Sequence, residues 1–165
     1  MSPVTPSLGA EALLADIRGL TLYRPWAWAI CHAGKRIENR GRRPPIPIGS
    51  FLVIHAGKML DEESRQHLIA RYLNVPSDGG PQGIVAVAKL VYCFDGDTDK
   101  LVDLLGEAEA TIQLRDWLSD DGFGWVLSDV VVFPRPIPCR GAQGLWPIPG
   151  DLLSVVRAGW RAGHG

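Results

Sequence analysis

The chain has 165 residues, a hydrophobic fraction of 46% and a formal net charge of −1. This length fits one ordinary domain able to bury a sizeable core, and the charge excludes the globally basic character of a non-specific nucleic-acid binder. The longest apolar run, 84–94, is broken by Lys89 and is far shorter than the roughly 20 residues a spanning helix needs. No basic residue precedes Arg18, so the start does not read as a secretory leader and the expected location is cytoplasmic.

Taken in chain order, residues 8–18 predict an N-terminal helix with Leu13, Leu14 and Ile17 as its apolar positions, and 20–23 a short strand. Pro25 suits a first helical position and Gly34 a left-handed stop, bracketing a short helix whose Trp26, Ile30 and Ala33 recur at helical spacing. Lys35, Glu38 and Arg40 follow on a segment expected to continue as a strand. Residues 50–55 predict an apolar strand. Asp61 is placed to cap a helix running through Leu73, with Leu68, Ile69, Tyr72 and Leu73 inward. A Pro/Gly loop at 74–83 leads to a long strand at 84–94, rich in β-branched residues, which must bend to stay in a small domain. Residues 98–118 predict a helix broken near Gly106, and 125–133 a second long strand. Prolines 134, 136 and 138 then force an extended edge or loop, and 151–160 reads as a final helix. Strands interrupted by helices without a βαβ rhythm predict an α+β fold. Trp117, Trp125 and Trp160 are candidate core residues.

Charge is unevenly spread. Lys35, Arg36, Arg40, Arg42 and Arg43 stand against Glu38 alone, a local balance of +4, whereas 95–121 carries nine acids against Lys100 and Arg115. A basic run of this kind attracts phosphate, although a solvated loop is the commoner meaning of such a pattern. Cys31, Cys93 and Cys139 are too few and too scattered for a zinc site or a disulfide framework. Adjacent Cys31 and His32 point about 100° apart on a helix and do not form a nucleophile–base pair. Asp95-Gly96-Asp97-Thr98-Asp99 opens like a calcium loop but has Lys100 at the sixth position and Gly106 at the twelfth. No phosphate-cradling loop or dinucleotide fingerprint is present, and no metal or cofactor is implied.

The ordered series Pro25-Trp26-Ala27, Gly34-Lys35-x-x-Glu38-x-Arg40, Gly49-x-x-x-x-Ile54-His55-Ala56, Gly83-Ile84-Val85-Ala86-Val87, Gly124-Trp125-Val126, Arg140-Gly141 and Gly144-Leu145-Trp146 resembles the ASCH (activating signal cointegrator homology) domain family. That family belongs to the PUA-like superfamily of small RNA-associated β-barrels. The resemblance covers roughly residues 20–149. It implies a PUA-like β-barrel, as a bent or closed mixed sheet packed by helices, with 1–19 as an accessory segment and 150–165 as a terminal helix packed on the same domain. It also implies that Lys35, Glu38 and Arg40 line a cleft.

From the residues alone, Lys35, Glu38 and Arg40 read equally as a recognition cluster or as an ion pair tying the helix end to the sheet. A carboxylate accepts hydrogen bonds from the amino edge of a base, while Lys and Arg meet phosphate or carbonyl oxygens. Arg24, Trp26, His55, Arg140 and Trp146 are further candidate ligand-binding residues around the cleft, with Trp26 beside a helix N-terminus and Trp146 in irregular backbone as stacking platforms. His55 ends an apolar strand, where a lone His is more often structural. The leading expectation is a binding module for nucleic acid, RNA foremost, or for a modified nucleobase, with RNA, single-stranded nucleic acid or a nucleoside as partner. A second is a hydrolase on RNA or a modified nucleoside, in which Lys35 and Glu38 would be the catalytic acid/base pair. Similar amidohydrolases carry a Thr nucleophile three residues after the Lys; this chain departs from them with Glu38, so an acyl-transfer nucleophile is missing. A third is a protein-interaction domain of a regulator working through the acidic helix.

If nucleic acid binds, the single short basic stretch predicts few neutralised phosphates. Binding measured across salt concentrations should give a slope of log affinity against log salt of about −2 to −3, for about two to four phosphate contacts. A slope steeper than about −6 would contradict it.

Overall fold

In a computed structural model, residues 16–72 and 74–164 are described. Six strands form one mixed sheet: β1 (Arg18–Arg24), β2 (Ile37–Arg40), β3 (Phe51–Leu60), β4 (Gly83–Phe94), β5 (Phe123–Ile137) and β6 (Leu145–Pro147). Five helices among the described residues accompany them: α1 (Trp26–His32), α2 (Glu62–Ile69), α3 (Thr98–Leu105), α4 (Glu107–Asp116) and α5 (Gly150–Gly163). The strand order is β2-β5-β4-β3-β1-β6, with β1 parallel to β3 and every other pair antiparallel. The fold is α+β, as the element pattern predicts. The sheet is open rather than a closed barrel, because β2 and β6 each pair on one side only. Closure would need β2 to reach β6, and β6, at three residues, offers a short edge already committed to β1.

The two long central strands bend through their pairing. β4 and β5 slip register at three places, and Asp129 adopts a φ of 49° within the irregular stretch of β5. Such bulges bend a strand and increase its twist. β5 continues through Pro134 and Pro136 because β2 covers only Phe123–Val126, so the prolines sit where no N–H is required by a second neighbour. Both faces of the sheet are buried. Leu20, Leu22, Leu52, Ile54, Leu90 and Leu127 pack on one side with Ile30 of α1. Phe51, Val53, Val87 and Phe133 pack on the other beneath Val156 and Trp160 of α5. Trp117, Trp125 and Trp160 are all core.

Several element limits differ from expectation, each for a local reason. Arg18 is already strand and Ile17 is buried in the core, so the end of the expected helix at 8–18 is not helical; Leu13 and Leu14 lie outside the described residues. Pro25 is the N-cap rather than the first helical residue, and its carbonyl accepts from Ala29 N–H at 2.9 Å. Ala33 is only half-buried, and Ala27, Ala29 and Ile30 form the inward face instead. Asp61 caps α2 through Ser64 N–H at 3.0 Å, but the helix ends at Ile69, which is exposed, while Tyr72 stacks on Trp117 beyond it. Leu73 lies outside the described residues. Gly106, at φ 85°, breaks the acidic helix into α3 and α4 as expected. Asp97 caps α3 through Lys100 N–H, and Asp95 pairs with Arg43, which gives the calcium-like string a structural use.

The turn between α1 and β2 is held from three directions. Gly34 has φ 73°, the left-handed stop the sequence predicts. The Gln113 side chain, fully buried on α4, accepts from Arg36 N–H at 2.8 Å and donates to the Gly34 carbonyl at 2.8 Å. Arg36 in turn donates to the carbonyls of Ile30, in the last turn of α1, and of Lys35, in the turn that follows, both at 2.9 Å. Burial pushes the Arg36 guanidinium below its usual range, partly countered by Glu109. Gln113→Leu would keep the volume but remove both bonds, leaving the part-buried Arg36 N–H and Gly34 carbonyl without this partner at a combined cost of about 1–3 kcal/mol. Urea unfolding should show a loss in that range; an unchanged midpoint would mean that the clamp is dispensable.

Candidate functional site

The turn delivers β2 with alternating faces. Ile37 is buried in the core with α3 and α4, and Asn39 on the same side binds Trp117 O and Ser119 N–H. Glu38 and Arg40 face the other way, as strand alternation requires. The turn also re-aims Lys35 onto the Glu38 side: its ammonium lies 2.7 Å from Glu38 Oε2, donates to the Ile37 carbonyl, and sits 5.8 Å from the ring centroid of Trp26. Lys35 is 2% exposed and Glu38 7%. Lys35 and Glu38 therefore form the ion pair of the structural reading, and Glu38 also lines an open cleft. Among the described residues Glu38 Oε1 accepts no hydrogen bond, Arg40 Nη1 lying 3.9 Å from it, and it is not sealed from solvent.

The cleft holds about 1080 Å³ between β1, β2, β3, the start of β4 and the loop 139–144. Of the residues expected there, Trp26, Glu38, Arg40, His55 and Arg140 line it. Lys35, Arg24 and Trp146 do not. Lys35 lies beneath Glu38. Arg24 points its guanidinium at the carbonyls of Asp78 (2.9 Å) and Lys58 (2.8 Å), fastening the 78–80 loop to the end of β3. Trp146 is buried against Gly19, where a Cβ would come within 2.3 Å of the indole. Trp26 is half-buried, packing on the core while reaching the cleft, and its seven-residue helix is too short to offer an N-terminal anion site.

His55 and Trp146 belong to one scaffold. Trp146 Nε1–H donates to Thr21 Oγ1 at 3.0 Å, and Thr21 Oγ1 lies 3.2 Å from His55 Nδ1. His55 Nε2 lies 2.9 Å from the Cys139 carbonyl. A carbonyl only accepts, so Nε2 carries the proton and Nδ1 of the neutral ring accepts from the Thr21 hydroxyl. The chain of bonds joins β6, β1, β3 and the 139–144 loop, with every polar atom used. The indole and imidazole also meet edge to face, 5.6 Å apart.

The basic run is largely consumed by structure. Lys35 and Arg36 are spent at the turn, and Arg43 pairs with Asp95 while lying over Phe123. Arg40 stacks over Trp125, 5.7 Å from the ring centroid. Among the described residues Arg42, Lys58 and Arg140 of the cleft have no ion-pair partner. No residue of the acidic stretch 95–121 lines the cleft. Cys31 and His32 share a separate, small pocket of about 150 Å³, and burial raises the Cys31 thiol to about 11, leaving it protonated at neutral pH.

Sequence reasoning missed Thr21, Tyr23, Lys58 and Met59 among the lining residues. Thr21 and Tyr23 were findable, since they alternate with buried Leu20 and Leu22 along β1. Lys58 and Met59 lie on a continuation of β3 past Ala56, where the apolar pattern stops and no sequence signal marks strand.

No family model and no curated protein matches the chain. Among solved structures, the ASCH protein of Zymomonas mobilis aligns over 87% of this chain and 94% of its own, at 19% identity and a TM-score of 0.46. Two single-substitution variants of that protein align over the same 87%, covering 97% and 96% of their own chains, at 18% and 20% identity and TM-scores of 0.48 and 0.46. These neighbours are ASCH proteins, the family the motif series resembles. At such values the likeness carries no argument about the site, which rests on its own geometry. No helix among the described residues is long and apolar enough to cross a membrane.

The 139–144 loop approaches so closely that a Cβ on Gly141 would lie 2.3 Å from Thr21 Oγ1 and 2.6 Å from His55 Nδ1. Gly141→Ala should therefore push the loop out of the cleft wall and cost about 1–3 kcal/mol, the usual range for overpacking. Thermal or urea unfolding measures this, and a variant as stable as the parent would show that the loop is not seated as described.

Proposed function

We propose that the chain is a binding module for single-stranded nucleic acid, RNA foremost, or for a modified nucleobase, in which Glu38 reads the amino edge of a base. One observation carries the reading: a buried carboxylate, fixed by Lys35 through one oxygen, leaves the other oxygen without a donor among the described residues at the wall of a cleft. A fixed acceptor at a partly desolvated site suits a planar ligand that brings its own N–H, as cytosine, adenine and guanine do. Arg42, Lys58 and Arg140 supply cations for phosphate, and the half-buried Trp26 supplies an aromatic wall. Three such cations agree with a shallow salt dependence.

The hydrolase alternative is less well supported. The Lys35 ammonium is engaged by Ile37 O and Glu38 and lies below the cleft wall, so it has no route to a substrate atom in this arrangement. The Thr21 hydroxyl, although hydrogen-bonded to His55, is hemmed in by Trp146 and Gly141. The interaction-domain alternative loses part of its surface to internal pairing, since Asp95, Asp97, Glu109 and Asp116 are committed to Arg43, Lys100 N–H, Gln113 and Arg71 with Arg115.

The burial of Lys35 decides how Glu38 must be tested. Glu38→Ala alone leaves a buried ammonium unpaired and should cost about 3–5 kcal/mol, confusing unfolding with loss of binding. Lys35→Met with Glu38→Leu removes both charges together, a change that is often near neutral for stability. The double variant should fold and lose affinity for single-stranded oligonucleotides about 10- to 150-fold, the equivalent of a hydrogen bond to a charged group. Full affinity in the folded double variant, measured by fluorescence anisotropy, would reject Glu38 as the reading group.

A further inference from the structure

We propose that Tyr23, at the mouth of the cleft, is a stacking platform for a second base, so that the ligand is a strand of two or more unpaired nucleotides rather than a free nucleoside. The inference rests on the reading of the cleft as a nucleobase site and extends it. Tyr23 shares the cleft face of β1 with Thr21, whereas Leu20 and Leu22 point into the core. It is 57% exposed, and on the neighbouring strand β3 Met59 is 61% exposed. Both line the same cleft. Among the described residues nothing hydrogen-bonds the Tyr23 hydroxyl or stacks on its ring.

A single exposed apolar side chain is ordinary on a protein surface. Three further features separate this one from that background. The cleft, at about 1080 Å³, lies at the upper end of the roughly 300–1,000 Å³ of small-molecule sites and so has room for more than one base. Lys58, beside Met59, lines the same cleft, and among the described residues neither it nor Arg42 or Arg140 has an ion-pair partner, which matches a polyanion. The backbone that carries the ring is also fastened. Arg24, the next residue after Tyr23, bonds the Lys58 carbonyl at 2.8 Å and the Asp78 carbonyl at 2.9 Å, and its own carbonyl accepts from Asp61 N–H at 2.7 Å. Arg24 is thus a positioning residue for the cleft mouth. An aromatic surface in a cation-lined groove is the arrangement by which proteins hold unpaired bases without reading their sequence.

The test compares wild type, Tyr23→Ala, Tyr23→Phe and the Lys35→Met/Glu38→Leu variant against two probes, a labelled oligocytidylate of about eight nucleotides and free cytidine. Tyr23→Ala should weaken oligocytidylate binding about 5- to 150-fold, the range for loss of one stacked base, with the salt slope and the affinity for cytidine unchanged. Tyr23→Phe should bind as wild type, because it keeps the ring. Equal binding of oligocytidylate by wild type and Tyr23→Ala would overturn the inference while leaving the Glu38 reading intact. Strand binding that depends on Tyr23 but survives in the double variant would uphold the platform and overturn Glu38. A wild type that binds neither probe would overturn both.

Discussion

A buried ammonium tolerates no vacancy, and the surroundings of Lys35 are organised by that requirement. Its charge is met by Glu38 Oε2, one proton by the Ile37 carbonyl, and its remaining face by the Trp26 ring. These partners come from β2 and α1, so the pair holds helix and strand at one angle. Glu38 can turn toward solvent only by abandoning a charge that water does not reach. The same constraint that gives the turn its rigidity therefore leaves a carboxylate oxygen at a fixed place in the cleft wall. The group that holds the turn is thus also the acid that the cleft wall presents.

Gln113 shows how far that constraint extends. It sits on the acidic α4, distant in sequence from the turn it holds, and its amide satisfies a donor and an acceptor on either side of Lys35. α4 packs through Ala110 into the cluster that also takes Ile37 and Trp117. The acidic helices thus serve first as a support for β2. Their charges are partly neutralised in local pairs, and the Asp116 carboxyl, beside Arg115 and Arg71, is held below the usual carboxylate range. What remains of the charge pattern, among the described residues, is a cleft with one acid at its wall and cations without ion-pair partners around it, within a chain of net charge −1. A local field of this kind steers anions to one place without making the whole surface sticky to nucleic acid.

The opposite wall is built by different means. Thr21, His55, Trp146 and the Cys139 carbonyl form a closed run of hydrogen bonds, so a parallel strand pair, an edge strand and a loop move as one unit. His55 and Trp146 resemble ligand-binding residues because they are polar-tipped aromatics near a cleft. Their polar atoms are satisfied internally, and their contribution is the position of Arg140 and of the loop that carries it. The bulged pairing of β4 with β5 bends the sheet around this space while leaving it open at β2 and β6.

Much of the fold is legible in the sequence because it depends on short-range rules. Proline and glycine bracket α1, Asp61 and Asp97 cap their helices, Gly106 divides α3 from α4, and β-branched runs mark β4 and β5. The strand alternation that puts Glu38 and Arg40 on one face is equally local. What sequence alone left open was how each charged group is neutralised and which side chains share a space. The turn at Gly34 swings Lys35 under Glu38, Arg24 looks away from the cleft, Gln113 arrives from 77 residues beyond Arg36, and Tyr23 meets Lys58 and Met59 only because β1 and β3 lie side by side. Backbone propensity acts over a few residues, whereas desolvation and hydrogen-bond satisfaction are settled between segments far apart in the chain. The elements were therefore determined by the sequence read locally, and the site was decided by their packing.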